Sequence, residues 1–216
     1  MTTLLMQLVA PMQSWGVQSH FGHRDTGLEP SKSGVIGLAC AALGRDRAEP
    51  IDDLAALRMG VRVDREGMLK TDFHTAQDVL KSDGGRKDTE LSRRYYLSDA
   101  AFLVGLEGDA AVLRTVHAAL LNPRWMLFLG RKAFVPSRPI GLVNGLSDDD
   151  LWNALRRRPA LYANAPREMR FVIEDEKGES VRPDQPVTFA HGARSFRSRR
   201  VRTLFSAIGE DERARS

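Results

Sequence analysis

The sequence contains a single cysteine, Cys40, in 216 residues. One thiol makes neither an intrachain disulfide nor a cysteine-based zinc site, so the fold must rest on burial, and a reducing cytoplasm suits it. Long apolar runs are also missing. None approaches the ~20 residues that span a bilayer, and the opening residues lack the basic, apolar and small segments of a secretion signal. The expectation is a cytoplasmic protein with no membrane partner. Internal repeats and low-complexity tracts are absent. So are the Gly-x-x-x-x-Gly-Lys-Ser/Thr loop of nucleotide hydrolases, a Gly-x-Ser-x-Gly elbow, and any paired-carboxylate or Cys-His arrangement. What remains is binding chemistry more than bond-breaking chemistry, with no cofactor and no metal expected.

What is present is a globular composition with a basic balance. At 42% hydrophobic the chain can bury one good core or two unequal lobes. Lysines and arginines number 32 against 28 acids, a net charge of +4, and most of the cations are arginine. Arginine suits planar contacts to phosphates and bases, although a soluble enzyme with a basic surface has the same balance.

The first apolar run, "TLLMQLVA", reads as a buried strand closed by Pro11, and residues 11 to 32 form a long glycine-bearing loop. In "PSKSGVIGLACAALG", Ser31 or Ser33 caps a helix that ends at Gly44; its glycines 34 and 37 are tolerable where the helix packs close to a neighbour. "MGVRVDR" and "MLKTDFHT" read as strands joined at Glu66 and Gly67. Residues 77–94 lack apolar periodicity and read as a hairpin or a flexible finger. Phe102, Val104 and Leu106 alternate in the next strand. Asp109 then opens a helix with a Leu113, Val116 and Leu120 stripe, and "RWMLFLG" reads as a fourth strand.

That order matches the split βαβ unit of ferredoxin-like and RNA-recognition folds. The fold class expected is α+β, a ferredoxin-like, RRM-like palm over residues 1–138 with a projecting thumb inserted at about 76–95. A smaller β-rich region over 139–216 follows, with a helix capped from Ser147, a hairpin "RFVIEDEKGESV" and a basic last strand.

Three features invite a binding role. The loop "PMQSWG" sets Gln13, Ser14 and Trp15 beyond a strand end, where amide, hydroxyl and ring can read splayed bases, or where Trp15 can simply anchor the core. The helix start with Ser31, Lys32 and Ser33 offers free amides and a cation to a phosphate, or is only a cap. Arg194, Arg197, Arg199, Arg200 and Arg202 alternate with Phe196, Val201 and Phe205, so they form an ordered phosphate-tracking strand or a solvated face. Among the histidines, His20 and His23 share a loop with Asp25 but lack a third ligand, and His117 belongs to helix packing. His74 beside Tyr95 and Tyr96 would suit a metal-independent endoribonuclease.

Six blocks in order, "APMQSWG", "PSKSGVIGLACAALG", "DFHTAQ", "RRYYLSDAAFLVGL", "NPRWMLFLGRKAFVPSRP" and the arginine-rich last strand, resemble the CasD-type CRISPR-associated proteins of the RAMP superfamily, over roughly residues 3 to 205. The resemblance implies an RRM-like palm with a thumb, in a non-catalytic subunit of the subtype I-E Cascade complex of antiviral defence. Such a subunit grips the 5′ handle of crRNA, touches a CasC-type backbone subunit, helps anchor a CasA-type large subunit and meets target DNA only through the complex. It also implies RNA contacts from Gln13, Ser14, Trp15 and the Ser31–Ser33 helix start. Arg94 becomes a stacking group on the thumb, and Arg131, Lys132 and Arg138 become phosphate contacts. In the related I-C subtype the corresponding protein cuts the precursor RNA, which leaves an endoribonuclease as the alternative.

Overall fold

The computed structural model describes residues 1–16, 22–81 and 83–209. In chain order its elements are β1 (Thr2–Val9), β2 (Met12–Gln13), β3 (His23–Arg24), α1 (Lys32–Leu43), α2 (Asp52–Ala55), β4 (Arg58–Arg65), β5 (Met68–Leu80), β6 (Arg86–Ser98) and β7 (Ala101–Gly108). They continue with α3 (Ala110–Leu121), β8 (Gly141–Ser147), α4 (Leu151–Arg157), β9 (Glu168–Glu174), β10 (Ser180–Thr188) and β11 (Ser195–Ala207). The class is mixed α+β, dominated by an antiparallel seven-stranded sheet in the order β10-β11-β9-β4-β7-β1-β8.

The sheet buries both faces because its strands alternate two apolar sets. Leu4, Met6 and Leu8 of β1 and Phe102, Val104 and Leu106 of β7 face the main core under α1 and α3, whereas Leu5 and Leu103 face the smaller core under α4. Helix α4 sits unusually close. Gly60 and Gly105 lie opposite each other in the ladder, and a Cβ on either would fall 2.8 or 2.6 Å from Leu155 or Leu151. The fully buried Arg62 ties down the end of that helix. It is bidentate to Asp64 and donates to the carbonyls of Leu155, Arg158 and Pro159, so its donors meet the carbonyl-rich end of the helix dipole.

The caps of α1 and α3 match the sequence: Ser31 accepts from the Gly34 amide, Gly44 closes α1 with φ 72°, and Asp109 accepts from Ala111 and Val112. Four expectations change. Residues 124–130 are not a strand, because the Arg124 and Trp125 amides donate to the α1 carbonyls of Ala42 and Ala41 and leave no ladder to join. The edge beside β1 is instead taken by β8. The α4 cap is Asp150, which accepts from Asn153; Ser147 ends β8. Finally, β9 and β10 do not pair. The 13-residue β11 runs between them, pairing β10 through Ser195–Val201 and β9 through Val201–Ala207. The strands beyond Pro139 thus extend both edges of the same sheet, so the expected boundary there is one of chain order.

Candidate nucleic-acid interface

The segment 77–94 belongs to a hairpin longer than expected. β5 and β6, 13 residues each, pair from Met68–Ser98 to Leu80–Arg86 and leave the main sheet altogether. "MLKTDFHT" is therefore the first half of the projection, not a strand of the palm. β6 is its spine, with β5 on one edge and β2 and then β3 along the other.

Strand register fixes what each face carries, since directly paired residues share a face. Arg24, Arg94 and Asp72 form one row across β3, β6 and β5; Tyr96 with Lys70 and Ser92 with His74 are the neighbouring rows on that face. Arg131 joins from the loop after α3. Its Nη2 donates to the Tyr95 carbonyl at 2.8 Å, and its guanidinium lies 5.2 Å from the centre of the Phe134 ring, which itself meets Tyr96 at 5.9 Å. Burial pushes the Arg131 pKa down, and the nearby charges of Arg94 and Arg24 push it further in the same direction, while Asp72 opposes them. Three arginines thus lie near one another with Asp72 as the carboxylate of their row, and Asp72 itself meets His74 Nδ1 at 3.3 Å. The arrangement attracts anions and offers planar groups for stacking.

Arg94 and Arg131, named from sequence, come together here. Arg24 was missed. Its only sequence signal was an arginine within a long glycine-bearing loop, and what makes it matter is a two-residue parallel pairing that no local pattern encodes. His23, on the opposite face, packs its ring 5.0 Å from that of Tyr95, and His20 lies outside the described residues.

The helix-start expectation fails on occupancy. The Lys32 amide donates to Asp184 Oδ2 at 2.7 Å, so the chain's own carboxylate fills the anion position. Lys32 is 1% exposed and bonded to both oxygens of Glu174 at 3.0 Å. Its burial pushes the ammonium pKa down, with Glu174 opposing. Ser31 is a buried cap, and half-buried Ser33 has its hydroxyl against that of Ser31. Likewise Gln13, Ser14 and Trp15 are interior groups, not base readers. The Gln13 amide donates to the carbonyls of Leu8 and Ala100 and its oxygen accepts from the Trp15 indole. The Ser14 hydroxyl faces the Asp25 and Tyr95 carbonyls, and the Trp15 ring fills the space over Gly34. This segment joins the first strand to the hairpin base.

The basic last strand divides. Arg199 is buried and bidentate to Asp184, so it is not available to a phosphate, and the more exposed Arg202 pairs with Asp175 at 3.2 Å. Arg194, Arg197 and Arg200 are exposed, the first over the Phe196 ring and the last donating to the Gly178 carbonyl. Lys132 is exposed, and Arg138 lies over the ring of Tyr162 and donates to the Leu161 carbonyl.

The profile of the family described as CRISPR-associated protein (Cas_Cas5) matches residues 3–202. The chain belongs to that family. Among curated relatives of this Cas_Cas5 chain is the CRISPR system Cascade subunit CasD of Escherichia coli (strain K12), 32% identical, with the match covering 80% of this chain and 87% of the relative. Two solved structures agree in fold. A crystallised Cas protein shares 47% identity at a TM-score of 0.81, with 95% of each chain covered. A chain of a CRISPR RNA-guided surveillance complex shares 34% identity at 0.82, covering 95% of this chain and 90% of that one.

Proposed function

We propose that this chain is a non-catalytic RNA-binding subunit of a subtype I-E Cascade complex in antiviral defence, holding the 5′ handle of crRNA. The hairpin is the thumb in this reading. Connections that run β1-α1-β4, then β7-α3-β8, with the spatial order β4-β7-β1-β8, support a ferredoxin-like palm. The face opposite α1 and α3, which RNA-recognition folds keep open, is covered here by α4, so RNA meets the hairpin base instead. The observation that carries the reading is the clustering of Arg24, Arg94 and Arg131 at the hairpin base, with Asp72 the one acid in their row. Exposed Arg197, Arg200 and Lys132 extend the phosphate contacts. Apolar palm surfaces dock a CasC-type backbone subunit and a CasA-type large subunit. Target DNA is then read by pairing with the guide, not by this chain.

The endoribonuclease alternative draws less support. A general acid and base must reach one phosphodiester together. His74 shares a face with Tyr96, but the two stand four ladder positions apart, about 13 Å at 3.3 Å per residue, and Tyr95 is on the other face.

The test is affinity of the full chain for handle RNA and for a scrambled RNA of equal length, with Arg94→Ala as the variant. Tighter binding to the handle, weakened by the substitution, is the expected result. Equal affinity for both RNAs overturns handle recognition, and a specific cut of repeat RNA in EDTA overturns the non-catalytic assignment.

A further inference from the structure

A second cationic and aromatic site lies at the far end of the loop that carries Arg131. Two guanidinium groups share the Tyr162 ring, Arg65 at 4.0 Å and Arg138 at 4.7 Å from its centre. Neither has a carboxylate partner among the described residues; Arg138 donates only to the Leu161 carbonyl. Two unneutralised cations held against one ring repel each other unless an anion joins them. Arg65 and Tyr162 also line a cavity of about 400 Å³ at the end of β4, with an apolar wall of Ala165, Pro166 and Phe205. Phe205 is 66% exposed, so its ring faces this cavity without filling it. Two of the three acids that line the cavity are already used, since Glu66 is bidentate to Arg170 and Asp64 is bidentate to Arg62, which leaves Glu168.

We propose that this cavity takes one nucleotide of a single-stranded RNA, its base against Phe205 and its phosphate on Arg65; the proposal rests on the RNA-binding reading above. Stacking on an exposed ring beside a cation is how unpaired bases are held. Exposed Asn164 and Glu168 line the same cavity and supply an amide and a carboxylate for a base edge. A carboxylate accepts best from an exocyclic amino group, which adenine, cytosine and guanine carry and uracil lacks, so those three bases are favoured over uracil. The loop from Arg131 to Arg138 spans at most about 25 Å, which puts this nucleotide within a few positions of those held at the hairpin base.

The test uses the full chain and single-stranded oligoribonucleotides of A, C or U, with binding measured over a salt series. Wild-type protein is expected to bind the A and C oligomers more tightly than U. Phe205→Ala should weaken A binding about 5-fold or more with no change in salt slope, as loss of one stacked base requires. Arg65→Ala should lower the slope of log K against log salt by about 0.7. Both side chains are exposed, so neither change threatens the fold. If RNA binds, Arg94→Ala weakens it and both cavity variants match wild type, the nucleotide pocket is overturned while the hairpin interface stands; a peptide occupant gives that same result. If the wild-type chain binds no RNA, the interface reading falls and takes the pocket with it.

Discussion

Arg199 grips Asp184 with two hydrogen bonds, Nε to Oδ1 at 2.7 Å and Nη2 to Oδ2 at 3.0 Å, in the interior between β10 and β11. Asp184 Oδ2 also takes the first amide of α1, and Arg199 stands 3.6 Å from Glu174, the partner of Lys32. Three strands and a helix start are therefore joined through four buried or half-buried charges. Removing one member strands the others without solvent. Asp184→Ala is expected to cost about 3–5 kcal/mol of stability, read as a lowered urea midpoint. Arg199→Ala should act the same way and leave the salt slope of RNA binding at its wild-type value, which separates it from its exposed neighbours.

Glycines 34 and 37 are one helical turn apart in α1 and should respond oppositely to alanine. A Cβ on Gly34 would lie 2.9 Å from Cε3 of Trp15, whereas Gly37 has open space. Alanine gains about 0.5–1 kcal/mol over glycine in a helix interior. At position 37 that gain is expected in full. At position 34 the clash with a ring locked by its hydrogen bond to Gln13 should outweigh it, for a net loss of about 1–2 kcal/mol. Chemical denaturation of the two variants side by side checks the contrast; a stabilised Gly34→Ala would show that Trp15 is free to move.

How much of this was legible follows from how local each signal is. The caps of α1 and α3, the alternation of Phe102, Val104 and Leu106, and the apolar face of α3 are set by neighbours within a few residues and were read directly from the sequence, whereas the α4 cap was set at Ser147 and is Asp150. The "RWMLFLG" strand was misread because an apolar run does not say where its amides go, and here they cap α1. The same limit governed the site. A polar or basic side chain reads alike whether its partner is solvent, RNA or a carboxylate 152 residues away, as for the Lys32 amide and Asp184. Gln13, Lys32 and Arg199 were satisfied internally, while Arg94 and Arg131 gained meaning only when register brought Arg24 beside them.

Cys40 gives a pH dependence with a definite sign. Burial is the main cause that pushes its thiol up from 9.0 to about 11. The folded state thus favours the protonated thiol, a contribution fully present below pH 9 and lost as pH rises toward 11. Wild type should lose stability relative to Cys40→Ala across that window, measured as the difference in urea midpoint at pH 8, 9.5 and 10.5. A difference that stays constant would mean that the thiol titrates alike in both states. Alkylation by iodoacetamide at pH 8 should also be slow until denaturant is added, because the attacking species is the thiolate.

Salt dependence can apportion RNA binding between the two cationic surfaces. Each phosphate contact on a single strand contributes about 0.7 to the slope of log K against log salt. Arg94 and Arg131 at the hairpin base, and Arg197 and Arg200 on β11, are four side chains with no carboxylate bonded to them among the described residues. Double replacement by alanine at the hairpin base should lower the slope by about 1.4. The β11 double variant should lower it by the same amount if one RNA runs over both surfaces, and the fourfold variant by about 2.8. A β11 variant with unchanged affinity and slope would assign those arginines to solvent and confine the RNA to the hairpin. An unchanged hairpin variant would remove the basis of the RNA-binding reading, which rests on the clustering of Arg24, Arg94 and Arg131.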